Sequence, residues 1–579
     1  MAEFGHYTMC LAWVLCLLGM GAGAFAGIRG STAWFLTARS ATILVAVSTC
    51  LVLFALGHAF YHSDFALQYV WQYSNRAMPP VYRIAAIWGG MDGSMLLWCG
   101  MLAISAGIVA WRSVSYPRAL MPWVLVVLNS ASCFFLTVTV FLTNPFRYLH
   151  AGYIPLDGRG LNPLLQNPLM AIHPPLLYLG FTTLAVPYAF CMGALASKQL
   201  SNEWIRLTRS WTLIAWGFLT VGIVLGGYWA YLELGWGGFW AWDPVENASF
   251  LPWLTATAFL HSVMIQERKN MLKTWNVWLI VLTYGLTVFG TFLTRSGVVQ
   301  SVHAFAETDV GWVFLLYLGI LFGTALVLTL MRRSELRSER HIESFFSREA
   351  AFLLNNLVLL SICFATIWGV LFPILSEAVT GTKQTVGPPF FNAVNVPLFL
   401  GLIFLMGIGP LIAWRRANLH NLQKSFVLPF VTALLLSGIL VWAGVNEFYP
   451  VLAYGLCWFV LMTIFGELHR GTKTVRAVQS QEQVGYVSGL RALLRRHRTK
   501  YGGHLVHLGV LVATIGITAS MAHKYEREFS LDVGEKTQIG RFQIELTGIE
   551  VEKTRNYESI RAVTSIYDAK SGELLRVLE

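Results

Sequence analysis

Charge is scarce in this sequence. Only 12% of the 579 residues are Asp, Glu, Lys or Arg, while 56% are hydrophobic. That balance excludes an ordinary soluble domain and describes a polytopic membrane protein. Cysteine is sparse and poorly placed for chemistry. All eight cysteines (Cys10, Cys16, Cys50, Cys99, Cys133, Cys191, Cys363 and Cys457) fall within apolar runs, and no Cys-x-x-Cys occurs. This argues against a dithiol oxidoreductase or a cysteine-ligated zinc site. A cleavable leader is not evident either. The first apolar run has full span length and no basic segment before it, so it is expected to be a retained helix.

What is abundant is apolar runs long enough to cross the hydrocarbon core, which needs about 20 residues. Fourteen such runs are found, from 5–27 to 501–521. With the N-terminus outside, the inward connections hold 26 of the 41 Lys and Arg, the outward loops 6 and the tail after 521 the remaining 9. The bias satisfies the positive-inside rule. The net charge of +11 is then explained by topology and contact with membrane lipid, and implies no nucleic acid. The basic run Arg495-Arg496-His497-Arg498 is expected to anchor the inner face.

The outward segments 62–87, 143–168, 231–247, 295–310 and 375–394 are rich in Trp, Pro and Gly. Phe65–Tyr73 is expected to form an amphipathic interfacial helix. From about 524 the pattern changes. Phe542, Ile544 and Leu546 alternate with polar residues, and Ser571-Gly572 suggests a turn. The predicted fold is therefore all-α and polytopic, with about 14 transmembrane helices (1–523) and a small β-rich extracytoplasmic C-terminal domain (524–579). The pattern stops at Glu579 in mid-course, which suggests a truncated domain.

One outward segment stands apart: Trp236-Gly237-Gly238-Phe239-Trp240-Ala241-Trp242-Asp243-Pro244-Val245-Glu246-Asn247. Its aromatic density and paired glycines suit a platform for a large flat ligand better than an ordinary aromatic belt. Asp243, Pro244 and Glu246 fit the N-cap, N1 and N3 positions of a capping box, which explains both carboxylates without acid–base chemistry.

Histidine inside a span is costly and usually functional. His173 lies near the outer end of its span and His303 in an outward loop. They flank the aromatic segment in sequence and share its side. His261 sits on a span running inward and His507 on one running outward. At 1.5 Å per residue both lie about 7–9 Å inside the inner boundary. Two neutral imidazoles at one depth form a bis-axial ligand set for haem iron. The other histidines, His504 included, are expected at interfaces.

At this point the chain resembles the CcmF-type cytochrome c haem lyases of the haem-handling protein superfamily. The carriers are the Trp-rich segment 236–247, Trp88-Gly89-Gly90-Met91-Asp92-Gly93-Ser94, the stretches around His173 and His303, and Tyr501-Gly502-Gly503 followed by His507-Leu508-Gly509. The resemblance implies that His173 and His303 ligate haem under transfer, held over Trp236, Gly237, Gly238, Trp240, Trp242 and Asp243. It implies that His261 and His507 ligate a resident haem b. It also implies a bacterial inner membrane location, with the N-terminus and the C-terminal domain periplasmic. Expected partners are a periplasmic haem chaperone, a thiol partner that presents apocytochrome c, and apocytochrome c itself. The reaction would be thioether formation at its Cys-x-x-Cys-His motif. Arg295 and Arg159 are outward and could pair haem propionates. The sequence departs from the family at Asp92, where Glu is common, and lacks the further span after the outer domain. A paralogous haem lyase dedicated to a multihaem nitrite reductase and a polytopic transporter are the alternative readings.

Overall fold

A computed structural model describes residues 1–149, 154–235, 237–297, 310–338, 344, 347–412, 419–478, 485–554 and 556–579. Among them are fourteen helices long and apolar enough to cross a membrane. They are α1 (Ala2–Arg29), α2 (Thr32–Tyr61), α3 (Met91–Ser115), α4 (Met121–Leu142) and α5 (Pro168–Ser197). Next come α6 (Glu203–Glu233), α7 (Pro244–Lys269), α8 (Lys273–Arg295), α9 (Gly311–Met331) and α10 (Arg348–Thr380). The last are α11 (Pro388–Ile408), α12 (Ser425–Trp442), α13 (Phe448–Ala477) and α14 (Arg498–Ala522). Each matches one predicted run. In lipid only helices or closed barrels satisfy every backbone N–H and C=O, so long apolar runs become helices.

The helices pack in sequence neighbourhoods. α1 packs on α2 and α4, α2 on α3, and α5 on α6. α7 packs on α6, α8 and α10, whereas α14 packs on α13. One apolar core runs from α1 into the start of α11, and a smaller cluster joins the rest of α11 to α12, α13 and α14.

The outward segment around Tyr69 differs from expectation. Its helix is only six residues, Gln68–Tyr73. Phe65, Leu67, Tyr69 and Val70 are buried in the main core while Gln68 and Gln72 are exposed, so the short helix is amphipathic but turns its apolar face to the protein core. The reason is a polar anchor. Tyr69 Oη donates to the Ile87 carbonyl (2.9 Å) and accepts from Gly90 N–H (3.1 Å). Burial holds the Tyr69 phenol well above its usual pKa, so it keeps the proton that it donates. A Cβ on Gly93 would overlap the Ile87 carbonyl and the Tyr69 ring, which explains the glycine there.

The tail forms an antiparallel sheet in the order β1 (Lys536–Ile539), β2 (Phe542–Lys553), β3 (Glu558–Asp568), β4 (Leu574–Leu578). Gly572, in the predicted turn, lies between β3 and β4 at φ +70°. The β2–β3 tip docks on the loops that carry Asn75 and Gln166. Asn75 Nδ2 donates to Asn556 Oδ1 (3.0 Å), and Asn556 Nδ2 donates to Gln166 Oε1.

Removing that latch tests the docking. Each such bond contributes about 1 kcal/mol and Asn556 makes both, so Asn556→Ala should speed amide exchange in the β2–β3 tip about thirtyfold and leave the spans unchanged. Unaltered exchange at the tip would show that other contacts hold the sheet in place.

Candidate functional site

At the end of the bundle that the Lys and Arg bias assigns outward, a cavity is built from α3, α5, α6, α7 and α8. Asn167 caps α5, its Oδ1 accepting Leu169 N–H (2.8 Å), and Pro168 starts the helix. His173 follows after one and a half turns, just before Pro174 and Pro175. Pro174 has no N–H, so the Met170 carbonyl loses its helical partner. Trp88 Nε1 donates to that carbonyl at 3.4 Å, joining the Trp88–Ser94 segment to the His173 helix. The His173 ring lies along Trp229, centroids 5.9 Å apart and planes 23° apart. Trp229 is itself fixed by its indole N–H on the Leu164 carbonyl (3.1 Å). Trp88, Trp98, His173, Tyr178, Trp229 and Arg295 are among the residues around a cavity of about 160 Å³. Arg295 donates to Tyr178 Oη at 2.9 Å. A cavity this small cannot enclose a drug-sized ligand, which needs about 300 Å³ or more. It can receive one aromatic edge or face of a larger ligand.

Gly226 is a residue that sequence reading missed. A Cβ there would sit 3.1 Å from His173 Nδ1. Trp229 was missed as well. The Gly226-Gly227 pair inside an apolar span was the available signal, since helix glycines often mark close approach.

The Trp-rich segment is fixed by its own packing. Trp236 and His303 lie outside the described residues. Gly237 has φ +62°, and Trp242 has φ +59°, rare for a bulky residue. Surrounding bonds hold that strained turn. Asn247 Nδ2 donates to the Trp242 carbonyl (2.8 Å), and the Trp242 indole donates to Asn392 Oδ1 (2.9 Å) and stacks on Phe391 (5.1 Å, 9°). Trp240 stands edge-on to Trp242 and to Phe250. The capping box is present: Asp243 Oδ1 accepts Val245 N–H, and Glu246 Oε2 accepts the N–H groups of Ala241 and Asp243. Among the described residues of this segment it is Val245, with Ala248 and Ser249 just beyond it, that borders the cavity with His173. Gly238 and Trp240 are half-buried, Trp240 against Trp242 and Phe250.

The inner pair meets. The His261 and His507 rings have centroids 6.5 Å apart and planes only 7° apart. Head-on imidazoles sharing one metal, each with a metal–nitrogen distance of about 2 Å, would have centroids about 6 Å apart. His261 Nδ1 bonds to the Thr257 carbonyl at 2.8 Å. A carbonyl only accepts, so Nδ1 carries the proton and Nε2 keeps a lone pair for a metal. Trp216 Nε1 in turn donates to Thr257 Oγ1 (2.9 Å), fixing α6 against α7 at that turn. His507 Nδ1 is buried and without a hydrogen-bond partner among the described residues. The donor set, its tautomer and its spacing fit a haem iron. His504, expected at the interface, is instead buried. Arg159 lies over the Trp71 ring at 4.2 Å, away from the cavity lining.

Comparison with known proteins gives a consistent answer. A family model described as Cytochrome C assembly protein matches residues 88–299. The chain is 35% identical over 575 residues to the cytochrome c-type biogenesis protein CcmF of Haemophilus influenzae, covering 99% of this chain and 86% of that one. It is 36% identical to CcmF of Pseudomonas aeruginosa over 584 residues, covering 100% and 86%. A solved structure of cytochrome c heme lyase CcmF superposes with a TM-score of 0.78 at 30% identity, covering 100% of this chain and 86% of that one.

The capping box separates two roles for Asp243. Asp243→Ala should cost about 1 kcal/mol, and Asp243→Asn, an equally good cap, almost nothing. Thermal unfolding in detergent reads both. A midpoint for Asp243→Asn as low as for Asp243→Ala would mean that the carboxylate charge does more than cap the helix.

Proposed function

This chain belongs to the CcmF-type cytochrome c biogenesis proteins, and from that premise we propose that it is the haem lyase subunit of cytochrome c maturation. In this reading it accepts haem from a periplasmic haem chaperone. It attaches that haem to the Cys-x-x-Cys-His motif of an apocytochrome c presented by a thiol partner. The observation that carries the reading is the parallel meeting of His261 and His507 on helices of opposite direction. The Lys and Arg bias supports an N-terminus and C-terminal sheet on the periplasmic side.

The substrate haem would lie against the outer cavity, one face on its aromatic lining and its iron held by His173 and His303. Gly237, Gly238, Trp240, Trp242 and Asp243 would border it, with Trp236 completing the shelf. Arg295, which lines that cavity, would pair a propionate of that haem. The nucleophiles are the substrate's own thiolates. Each substrate thiol adds across a haem vinyl group: the sulfur bonds to one vinyl carbon and the proton ends on the other, with no net change of electrons. The chain's contribution is positioning of the two reactants. The incoming motif histidine would replace one axial imidazole, which frees the product. At the inner site, His261 and His507 would hold the resident haem b, fixed by Thr257 and Trp216. When bound, that group supplies the electron that keeps the transferred iron reduced.

Protein purified from haem-replete membranes should therefore show a low-spin b-type absorption spectrum. His261→Ala or His507→Ala should abolish or alter it. A wild type with no haem absorption would refute the resident-haem reading. His173→Ala and His303→Ala should keep that spectrum and lower the yield of holocytochrome c at least about tenfold. Normal maturation in both variants would contradict their assigned role.

A further inference from the structure

Near the inner end of the bundle, both ring nitrogens of His504 are buried and have no hydrogen-bond partner among the described residues. The side chain belongs to α14 and is only 6% exposed. A buried polar group without a partner is costly, and in a native fold it usually marks an absent water or ligand. His504 precedes His507 by three residues, about 4.5 Å along the helix axis toward the inner boundary. The two rings meet edge to face with centroids 6.4 Å apart. The Tyr501 ring closes the other side at 5.7 Å. The charged groups whose fields reach His504 are Lys500, Glu467 and Arg348. Lys500 and Arg470 both pair with Glu467, and Arg348 reaches the Gly409 carbonyl. Cations therefore outnumber carboxylates on the inner side of His504.

We propose that His504 donates a hydrogen bond to a carboxylate side arm of the haem ligated by His261 and His507. The inference rests on the resident-haem reading. The carboxylates are the polar groups of a haem's edge, and inside a bilayer they need a donor and a polar exit. A macrocycle centred beside His507 extends about one helical turn along α14, which brings its edge alongside His504. The inner direction leads to Lys500 and the basic boundary, whereas the outer direction leads into an apolar helix. Imidazole offers an N–H at that point, and a carboxylate can accept it.

The test compares haem with haem dimethyl ester, whose side arms carry no ionised carboxylate. Haem-depleted wild type, His504→Leu and His504→Gln are loaded with each, and release to excess apomyoglobin is followed by the loss of low-spin absorbance. Haem should leave His504→Leu about tenfold faster than wild type, with His504→Gln close to wild type because its amide still donates. With the ester, whose carbonyl accepts far more weakly than a carboxylate, the difference between wild type and His504→Leu should shrink to a small fraction of that seen with haem. Equal release of haem from wild type and His504→Leu would overturn the proposal. So would an unchanged difference with the ester, which would assign His504 to a water or to packing. Should His504→Leu fail to fold, wild type alone decides: it must release the ester faster than haem. A wild type that takes up no low-spin haem refutes the resident-haem reading itself, and the proposal with it.

Discussion

An imidazole inside a bilayer is stable only when something satisfies its nitrogens. His261 meets that demand on one side through the Thr257 carbonyl, and its ring lies nearly parallel to that of His507 with centroids 6.5 Å apart. The rest of the inner architecture serves this meeting. Trp216 fixes Thr257 and thereby the rotation of α7. Trp253 repeats the device one turn outward, its indole donating to Thr220 at 2.8 Å. α14 packs on α13 and faces α7 through imidazoles. A flat macrocycle gripped from two faces suits that arrangement better than close helix packing does.

The same helix ties the two ends of the molecule together. α7 starts from the capping box beneath the Trp-rich turn and carries His261 about two turns before its end. Along it Trp240, Phe250, Trp253 and Trp216 form a continuous row of ring contacts, each pair of centroids less than 6 Å apart. A rigid start is useful here. The strained Trp242 conformation is held by Asn247, Asn392 and Phe391, so the outer cavity and the inner pair share one stiff element.

Much of this was legible before any coordinates. Hydrocarbon thickness fixes span length, so all fourteen runs became helices. Helical rise is constant, so the common depth of His261 and His507 could be counted from span ends. The capping box is local, and local patterns transfer directly. What was not legible depends on rotation about helix axes and on distant partners. Burial of His504 follows from which face α14 turns inward. Tyr69 turns into the core because of a carbonyl eighteen residues away. Trp229 and Gly226 matter because α6 crosses α5 at His173. The alternation of β2 was readable, but its docking through Asn556 was not, because Asn75 and Gln166 are remote in sequence.

The central claim is that His261 and His507 are the two axial ligands of one haem with nearly parallel ring planes, 7° apart. Low-temperature electron paramagnetic resonance of the oxidised wild-type protein tests it most directly. The account predicts a rhombic low-spin ferric signal, the signature of parallel axial imidazoles. A strongly anisotropic signal with a large principal g value would mean crossed planes, and a high-spin signal would mean that one imidazole is not a ligand. Either result would contradict the account.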